Sequence, residues 1–338
     1  MIDKAQLTQS AYADFATRER IIEILGVKGV TVQDGGLFNS ILKLNAGNRD
    51  YYFKQYLDGV HNETYSHIPN LPANVRMNLA VEVQQLANKI VRNLANVNVP
   101  DILHVDEVSN SFLMESAVSN DSFYSTLESG DLKFGPINSL AFFLASFHSS
   151  TFRSHDNKAE SRNRVFRDFK LKIQYEDIAL LFDENTANKI IECVAAYKQT
   201  NDCILHGDLN SRNILTTNDE ISVIDFEQSH TGSPVYDVAY ILCEILISLY
   251  VYGRENITEY LKSFYTIYTG LFPEFVKTNQ SQNLLCHLGV QVIYRFLGPS
   301  RNHWTAYVDE SHKAELIELS QEMIHSESEF CDFFQRFK

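Results

Sequence analysis

Residues 204–227 constrain this chain more than any other stretch, and they read ILHGDLNSRNILTTNDEISVIDFE. Asp208 and Asn213 lie between apolar residues, and Asp225 follows a second apolar run, ISVI, after an NDE turn. Two short strands joined by that turn would bring these three side chains to one edge. Two carboxylates and an amide oxygen are hard ligands of the kind that Mg²⁺ takes, usually together with substrate phosphates. The pattern therefore predicts a site for phosphoryl transfer.

The rest of the chain divides into a β-rich part and a helical part. Within residues 1–117, a helix is expected at 18–25, strands at 39–44 and 51–57, a long helix at 75–94, and a hairpin formed by ILHVDEV and SFLMESAV. Further helices are expected at 138–147, 167–181, 185–198, 238–252, 259–271, 282–296 and 313–325. The sequence thus predicts an α+β protein with two lobes, residues 1–117 and residues 118–338.

Composition excludes several classes of protein. The 338 residues include 29 basic and 43 acidic side chains, a net charge of −14, which disfavours nonspecific binding to nucleic acid or to anionic membranes. The five cysteines form no C-x-x-C pair and are expected to be scattered thiols. The apolar run at 238–252 contains Glu244 and is too short to span a bilayer, so we expect a buried helix. No signal peptide is recognised at the N-terminus, and a cytoplasmic location is expected. Nothing here indicates an oligomeric state.

The motif at 206–227 resembles a known family. H-G-D-L-x-x-x-N-I-L followed by I-D-F-E is similar to the catalytic and metal-binding loops of the aminoglycoside phosphotransferase and choline kinase superfamily. The protein-kinase signature is related, but Gly207 replaces its arginine and Glu227 the glycine of D-F-G. GSPVYDVAYILCE at 232–244 resembles the family's G-D-P-x-x-D-x-A segment, with Ser233 at the usual aspartate. The resemblance implies a bilobal protein-kinase-like fold, with a small antiparallel-sheet N-lobe carrying one long helix and a larger, mainly helical C-lobe.

The resemblance also implies roles for the polar residues. Asp208 would orient an acceptor hydroxyl and take its proton, while Asn213 and Asp225 would hold Mg²⁺. Lys54, in the strand-like YYFKQYL, would contact the α- and β-phosphates of ATP. Glu82 on the long helix is the expected ion-pair partner of Lys54, and a solvated surface glutamate is the alternative.

Two further segments are expected to bind the nucleotide. Gly35 and Gly36, in QDGGLFNS, resemble a loop whose backbone N–H groups cover the phosphates, although an ordinary hairpin turn is the alternative. The hinge between the lobes, where backbone groups would bind adenine, is assigned to Met114, Glu115 and Ser116.

Two residues of the family pattern are expected to be structural. Asp237 should hydrogen-bond beneath residues 206–213, the predicted catalytic loop. His148 should be a packed histidine at the end of the helix in SLAFFLASFHS.

The acceptor is the least determined part of the prediction. Aminoglycosides, choline or ethanolamine, sugars and hydroxy-amino acids all fit the motifs. Residues 1–117 carry a net charge of −3 and residues 118–338 one of −11, which favours a cationic or neutral acceptor, although ordinary solubilising acids explain it equally well. A cluster near the C-terminus would line the acceptor pocket or cap a helix bundle, and consists of Arg295, Arg301, His303 and Trp304.

Two alternatives to a small-molecule kinase stay open. A pseudokinase would bind ATP without transferring phosphate, but it usually lacks at least one of the five polar residues assigned above. A protein kinase is disfavoured because no A-P-E segment follows Asp225, and GSPVYDVA leaves little room for a peptide-docking loop.

Overall fold

The N-terminal part of the fold is an antiparallel sheet of five strands in the order β1–β2–β3–β6–β5. The computed structural model describes residues 26–33, 39–58, 68–69, 71–154, 164–279, 281, 283–299 and 304–337, so the helix expected at 18–25 lies outside the described residues. The strands are β1 (Gly29–Gln33), β2 (Asn39–Asn45), β3 (Asp50–Tyr56), β5 (Ile102–Asp106) and β6 (Ser111–Glu115), with the short β4 (Val97–Asn98) preceding β5.

The hairpin formed by β2 and β3 confirms the two strands predicted there. Its turn is closed by a side-chain hydrogen bond from Asn45 to Asp50, 2.9 Å long. Leu42, Leu44 and Phe53 are buried together on one face of the sheet. Since successive side chains of a strand point to opposite faces, Lys54 emerges on the other face.

The long helix predicted at 75–94 is α1 (Ala73–Val91). Its Met77 and Ala80 pack with Tyr56 and Phe112 of the sheet. Other residues of the same helix belong to the large core of the C-terminal part, namely Leu79, Val83, Ala87 and Val91. Both parts of the chain therefore pack on α1, and the boundary after residue 117 stays a prediction.

The C-terminal part is mainly helical, and six of the seven helices predicted there each overlap one observed helix. The seventh, predicted at 167–181, corresponds to two helices joined by a π-helical turn. Asp183 and Asp309 begin two of them by accepting hydrogen bonds from the backbone N–H groups of Thr186 and His312, each 2.9 Å long. The helices are α2 (Phe123–Ser129), α3 (Phe134–Thr151), α4 (Val165–Leu171), which continues through a π-helical turn (Lys172–Glu176) into α5 (Asp177–Ala179), α6 (Glu184–Lys198), α7 (Val235–Tyr252), α8 (Ile257–Leu271), α9 (Glu274–Lys277), α10 (Leu284–Leu297), α11 (Glu310–His325) and α12 (Phe330–Phe333).

Helix α7 runs through the centre of this core. By length and composition it would be able to cross a membrane, but 89% of it is buried inside the fold, as the core helix of a globular protein is. The five cysteines are free thiols, four of them buried and Cys331 half-buried, which agrees with the sequence expectation.

Two small sheets position the segment that carries the predicted chemistry. Strands β8 (Ile214–Thr216) and β9 (Ile221–Val223) form an antiparallel hairpin, and β4 pairs in parallel with β9. Strands β7 (Cys203–Leu205) and β10 (His230–Gly232) form the second sheet. The intervening Phe226 packs edge-on against Phe147 of α3, with 6.5 Å between ring centroids. These contacts confirm the predicted α+β class and fix residues 206–228 against the helical core.

Candidate active site

The β8–β9 hairpin brings the three predicted polar residues together. Asn213 precedes β8 and Asp225 follows β9, at the same end of the hairpin, and the Ile224 N–H donates to the Asn213 carbonyl at 3.0 Å. The Asn213 amide donates to the Asp208 carbonyl oxygen at 2.9 Å and to its carboxylate Oδ2 at 3.3 Å. Because the Asn213 Nδ2 makes both hydrogen bonds, the Asn213 Oδ1 is the side-chain atom that would bind a cation.

Asp237 holds the backbone of the catalytic loop, as the sequence predicted. Its carboxylate accepts hydrogen bonds from the N–H groups of His206, at 2.7 Å, and Gly207, at 3.0 Å. His148 lies 3.3 Å from the same carboxylate and 2.8 Å from the Tyr268 hydroxyl, so it is a packed histidine. Burial alone would raise the pKa of Asp237, but the hydrogen bond and charge of His148 hold that pKa below its usual value.

The backbone conformation at position 207 and the atoms packed around it explain why glycine stands where the protein-kinase motif has arginine. Its φ is +77°, a left-handed backbone conformation that residues other than glycine rarely adopt. A Cβ atom there would also collide with the Gln228 carbonyl oxygen and lie 2.8 Å from the His230 ring. The loop therefore closes tightly only with glycine at this position.

Lys54 reaches across from the N-terminal sheet to Asp225. Its ammonium lies 2.7 Å from the Asp225 Oδ1 and 3.9 Å from the Glu227 Oε2. Burial by itself lowers the pKa of Lys54, but the neighbouring carboxylates raise it above its usual value. Burial also raises the pKa of Asp225, and Lys54 outweighs that effect, so the pKa of Asp225 is lowered. Asp225 has φ of +71°, a conformation that aspartate tolerates better than most residues.

Glu227 extends this ion pair into a buried network between the two parts of the chain. Its Oε2 accepts a 2.6 Å hydrogen bond from Asn39 of β2 and lies 3.6 Å from the guanidinium of Arg76 on α1. Burial raises the pKa of Glu227, and the charges of Lys54 and Arg76 oppose that shift only in part. Glu227 thus ties β2, β3 and α1 to the segment that follows β9.

Glu82 lies half-buried on α1. In the described part of the chain, the ion pairs of Lys54 are with Asp225 and Glu227, and the pairing of Lys54 with Glu82 stays a prediction.

Asp208 is surrounded by hydrogen-bond donors. Its Oδ1 accepts from the Lys170 ammonium at 2.6 Å and from the Tyr240 hydroxyl at 3.2 Å. Its Oδ2 lies 3.3 Å from the Asn213 amide and 3.4 Å from the Gln228 amide. About a fifth of the Asp208 side chain is exposed, so a small molecule can reach it.

A buried ion pair supports the catalytic loop from the C-terminal side. Glu244 of α7 accepts from the Ser211 N–H at 3.0 Å and from the Arg295 guanidinium of α10 at 2.6 Å. Trp304 stacks with the guanidinium groups of Arg295 and Arg212, 5.0 Å and 4.6 Å from the ring centroid. Arg212 belongs to the catalytic loop, so the predicted C-terminal cluster contacts that loop through Trp304, while Arg295 reaches it through Glu244. Arg301 and His303 lie outside the described residues.

The predicted hinge segment, residues 114–116, lies where the chain passes from the N-terminal sheet to the C-terminal part. Met114 and Glu115 are the last two residues of β6, and Ser116 follows them. Two residues further along the chain, the Val118 N–H donates a hydrogen bond to the Ser222 hydroxyl of β9 at 3.1 Å. Gly35 and Gly36 lie outside the described residues. The adenine and phosphate-loop assignments stay predictions.

The oxygen donors fit a magnesium ion that arrives with a nucleotide. Asp225 supplies one carboxylate and Asn213 one amide oxygen. Mg²⁺ usually takes only one or two ligands from the protein when substrate phosphates and waters complete its coordination shell. Among the described residues, no group of three or more histidine, cysteine or acidic side chains is arranged to hold a metal by itself. A cation here would compete with Lys54 for Asp225.

Sequence reasoning assigned no role at the site to several residues that lie in it or beside it, namely Glu227, Gln228, Arg76, Lys170 and Tyr240. Glu227 was noted only as a departure from D-F-G, and its position two residues after Asp225 was the available signal. Nothing in the local sequence indicated that Arg76, Lys170 and Tyr240 would lie close to residues far away in the chain.

Residues 136–270 match the sequence profile of the phosphotransferase enzyme family. No curated protein matches the sequence. A choline/ethanolamine kinase family protein from Mesorhizobium loti is 12% identical with a TM-score of 0.52, covering 92% of this chain and 94% of that one.

Two other solved structures are similar to this chain. An amicoumacin kinase in complex with AMP-PNP, Ca²⁺ and its ligand is 12% identical with a TM-score of 0.52, covering 94% of this chain and 95% of that one. A choline kinase from Cryptosporidium parvum is 16% identical with a TM-score of 0.51, covering 90% and 97%. The profile match over residues 136–270 agrees with the predicted resemblance, and the similarity to these solved structures confirms the predicted protein-kinase-like fold.

Proposed function

We propose that this protein is a cytoplasmic phosphotransferase that moves the γ-phosphoryl group of ATP, with Mg²⁺, to a hydroxyl of a small molecule. One observation carries the proposal: Asp208, Asn213 and Asp225 meet at one end of the β8–β9 hairpin, and Lys54 faces them from the N-terminal sheet, 2.7 Å from Asp225. Together they provide a carboxylate for the acceptor, two oxygen ligands for a cation, and a cation for phosphates.

The proposed reaction is an in-line displacement. The acceptor oxygen forms a bond to the γ-phosphorus, the bond from that phosphorus to the β–γ bridging oxygen breaks, and ADP leaves with the electron pair. Asp208 orients the hydroxyl and takes its proton. Lys54 holds the phosphates, and Asn213 and Asp225 would hold Mg²⁺, which offsets the phosphate charge when bound. Positioning and electrostatic stabilisation supply most of the catalysis in such reactions.

The acceptor is proposed to be an aminoglycoside, an amino alcohol, a sugar or a hydroxy-amino acid. A peptide acceptor is disfavoured because the chain passes from Asp225 into β10 and then directly into α7 at Val235. That path offers no long loop against which a peptide segment would dock.

ADP release with a panel of acceptors tests the proposal. The panel should include aminoglycosides, choline, ethanolamine, homoserine and common sugars. We expect acceptor-dependent ADP release by the wild type, and a fall in kcat of about 10²- to 10⁴-fold in Asp208→Asn, because the general base is lost. Asp177→Asn is the matched control, since Asp177 pairs with Lys172 on the surface.

Two results would contradict the proposal in different ways. Retained turnover in Asp208→Asn would remove Asp208 from the reaction. Magnesium-dependent ATP binding without transfer to any member of the panel would favour the pseudokinase alternative.

A further inference from the structure

Lys170 is an enclosed cation in direct contact with Asp208. It lies on α4, far from the catalytic loop in sequence, and its side chain is only 6% exposed. Its ammonium donates to the Asp208 Oδ1 and to the Gly207 carbonyl oxygen, each at 2.6 Å. It also lies 5.3 Å from the ring centroid of Tyr240. A lysine buried in this way needs a partner, and its partner is the proposed catalytic carboxylate.

The two oxygens of Asp208 have different surroundings. Lys170 and Tyr240 both donate to Oδ1, and the lysine contact is short and charge-assisted. Oδ2 has two longer contacts, at 3.3 Å and 3.4 Å, from the amides of Asn213 and Gln228. Because Oδ1 is occupied and Oδ2 is weakly bound, Oδ2 is the oxygen available to an incoming hydroxyl.

We infer that Lys170 is a positioning residue for phosphoryl transfer, which fixes the Asp208 carboxylate through Oδ1 so that Oδ2 takes the proton of the acceptor hydroxyl. The inference rests on the proposed function. In the transfer step, the hydroxyl oxygen bonds to the γ-phosphorus and ADP leaves, while the hydroxyl proton moves to Oδ2. The Lys170 ammonium offsets the repulsion between the carboxylate and the incoming phosphates.

Holding the loop backbone would be the alternative role for Lys170. Asp237 already fulfils that role, because it accepts hydrogen bonds from the N–H groups of both His206 and Gly207. Asn210 also caps the following turn by accepting from the N–H groups of Arg212 and Asn213. The hydrogen bond from Lys170 to the Gly207 carbonyl therefore adds little to a loop that other residues already hold. By contrast, the hydrogen bond from Lys170 to the Asp208 Oδ1 is the only ion pair that Asp208 makes among the described residues.

Charge removal at position 170 tests the inference. Lys170→Met keeps the unbranched apolar part of the side chain and removes its terminal ammonium, and we expect kcat to fall about 100-fold while the KM for ATP stays within about twofold. Lys172→Met is the matched control, because Lys172 is two residues away and pairs with the exposed Asp177. It should keep the wild-type kcat. Assays use the panel acceptor that the wild type phosphorylates fastest.

Chemical rescue separates positioning from structural support. Lys170→Ala opens a space that propylamine fills with an ammonium at its end, so propylamine should raise kcat of this variant about tenfold or more, in a saturable manner. The methionine side chain occupies that space, so Lys170→Met should not respond. Should Lys170→Met not fold, Tyr240→Phe removes the other Oδ1 donor, and its kcat should fall severalfold at an unchanged KM for ATP.

Three results would overturn the inference. These are a kcat of Lys170→Met within about threefold of wild type, a Lys170→Ala variant that propylamine does not rescue, and an unchanged kcat in Tyr240→Phe. If the wild type itself transfers phosphate to no acceptor, the proposed function fails and the inference fails with it. If the wild type is active and only the Lys170 results are contrary, the proposed function stands alone.

Discussion

Replacement of Arg295 by methionine should strongly destabilise the C-terminal part of the fold. Arg295 and Glu244 form an ion pair of 2.6 Å in which the side chains are 1% and 5% exposed. Arg295 also lies 4.5 Å from the ring centroid of Tyr240, and Glu244 accepts from the Ser211 N–H. The variant therefore leaves a buried carboxylate without its cation, next to the catalytic loop.

The size of the effect follows from burial. At an effective dielectric constant of about 20, two unit charges at this distance attract each other by about 6 kcal/mol, and the loss of water from both groups offsets much of that energy. Removal of one partner from a buried pair costs about 3–5 kcal/mol, because the remaining charge has neither water nor a counter-ion. We expect Arg295→Met to lower the free energy of unfolding by about 4 kcal/mol, a large share of the 5–15 kcal/mol typical of a protein.

Urea unfolding followed by far-UV circular dichroism measures this loss. The double variant Arg295→Met/Glu244→Gln should recover about half of it, since glutamine carries no charge and still accepts from the Ser211 N–H. The matched control is Arg254→Met, which breaks the exposed pair of Arg254 and Glu315, whose side chains are 53% and 45% exposed. That variant should lose about 1 kcal/mol or less.

Equal losses in Arg295→Met and Arg254→Met would refute the argument, because burial would then make no difference. A double variant no more stable than Arg295→Met would refute it as well, since the unpaired carboxylate would not be the source of the cost.

Two further predictions concern the catalytic loop and the acid stability of the core. Gly207→Ala should lose nearly all phosphotransferase activity and melt at a lower temperature, because the new Cβ atom meets the Gln228 carbonyl at φ of +77°; wild-type activity in this variant would show that the loop can relax. Burial lowers the pKa of His287 in the folded protein to about 3, whereas the usual histidine pKa is about 6.5. Between these two pH values the unfolded chain therefore binds one proton more at this residue than the folded protein does. Stability should therefore fall as the pH drops through this window, by about 1.4 kcal/mol per pH unit from this residue, and urea titrations of His287→Gln should show a slope smaller by that amount. An unchanged slope would exclude His287 as the source.

Local sequence determined most of the secondary structure for identifiable physical reasons. The period of apolar residues predicted the long helix of the N-terminal part, and the turn-forming NAGNRD predicted the β2–β3 hairpin. Asp183 and Asp309 are helix caps that act within three residues, so their effect depends only on neighbours in the sequence.

The site could be predicted as far as its residues share one short segment. Asn213 and Asp225 flank a hairpin whose register follows from a local turn, and Asp208 lies shortly before Asn213 in the chain, so the meeting of the three at one end of the hairpin was predictable. Lys54 was predicted to contact phosphates and to pair with Glu82, whereas the structure pairs it with Asp225 and Glu227, acids that lie far from it in the sequence.

The sequence by itself determined the resemblance to a family, most of the helices and strands, and the acids of the motif, whereas the tertiary structure decided which cations face them. Lys170 lies on α4 and Arg76 on α1, and each meets its carboxylate only because helices and sheet pack around the catalytic loop. Local patterns reflect interactions between near neighbours in the chain, while an ion pair between residues far apart depends on the packing of whole elements. The overall charge of −14 therefore does not describe the surroundings of Asp208, where a buried lysine lies in contact with the carboxylate.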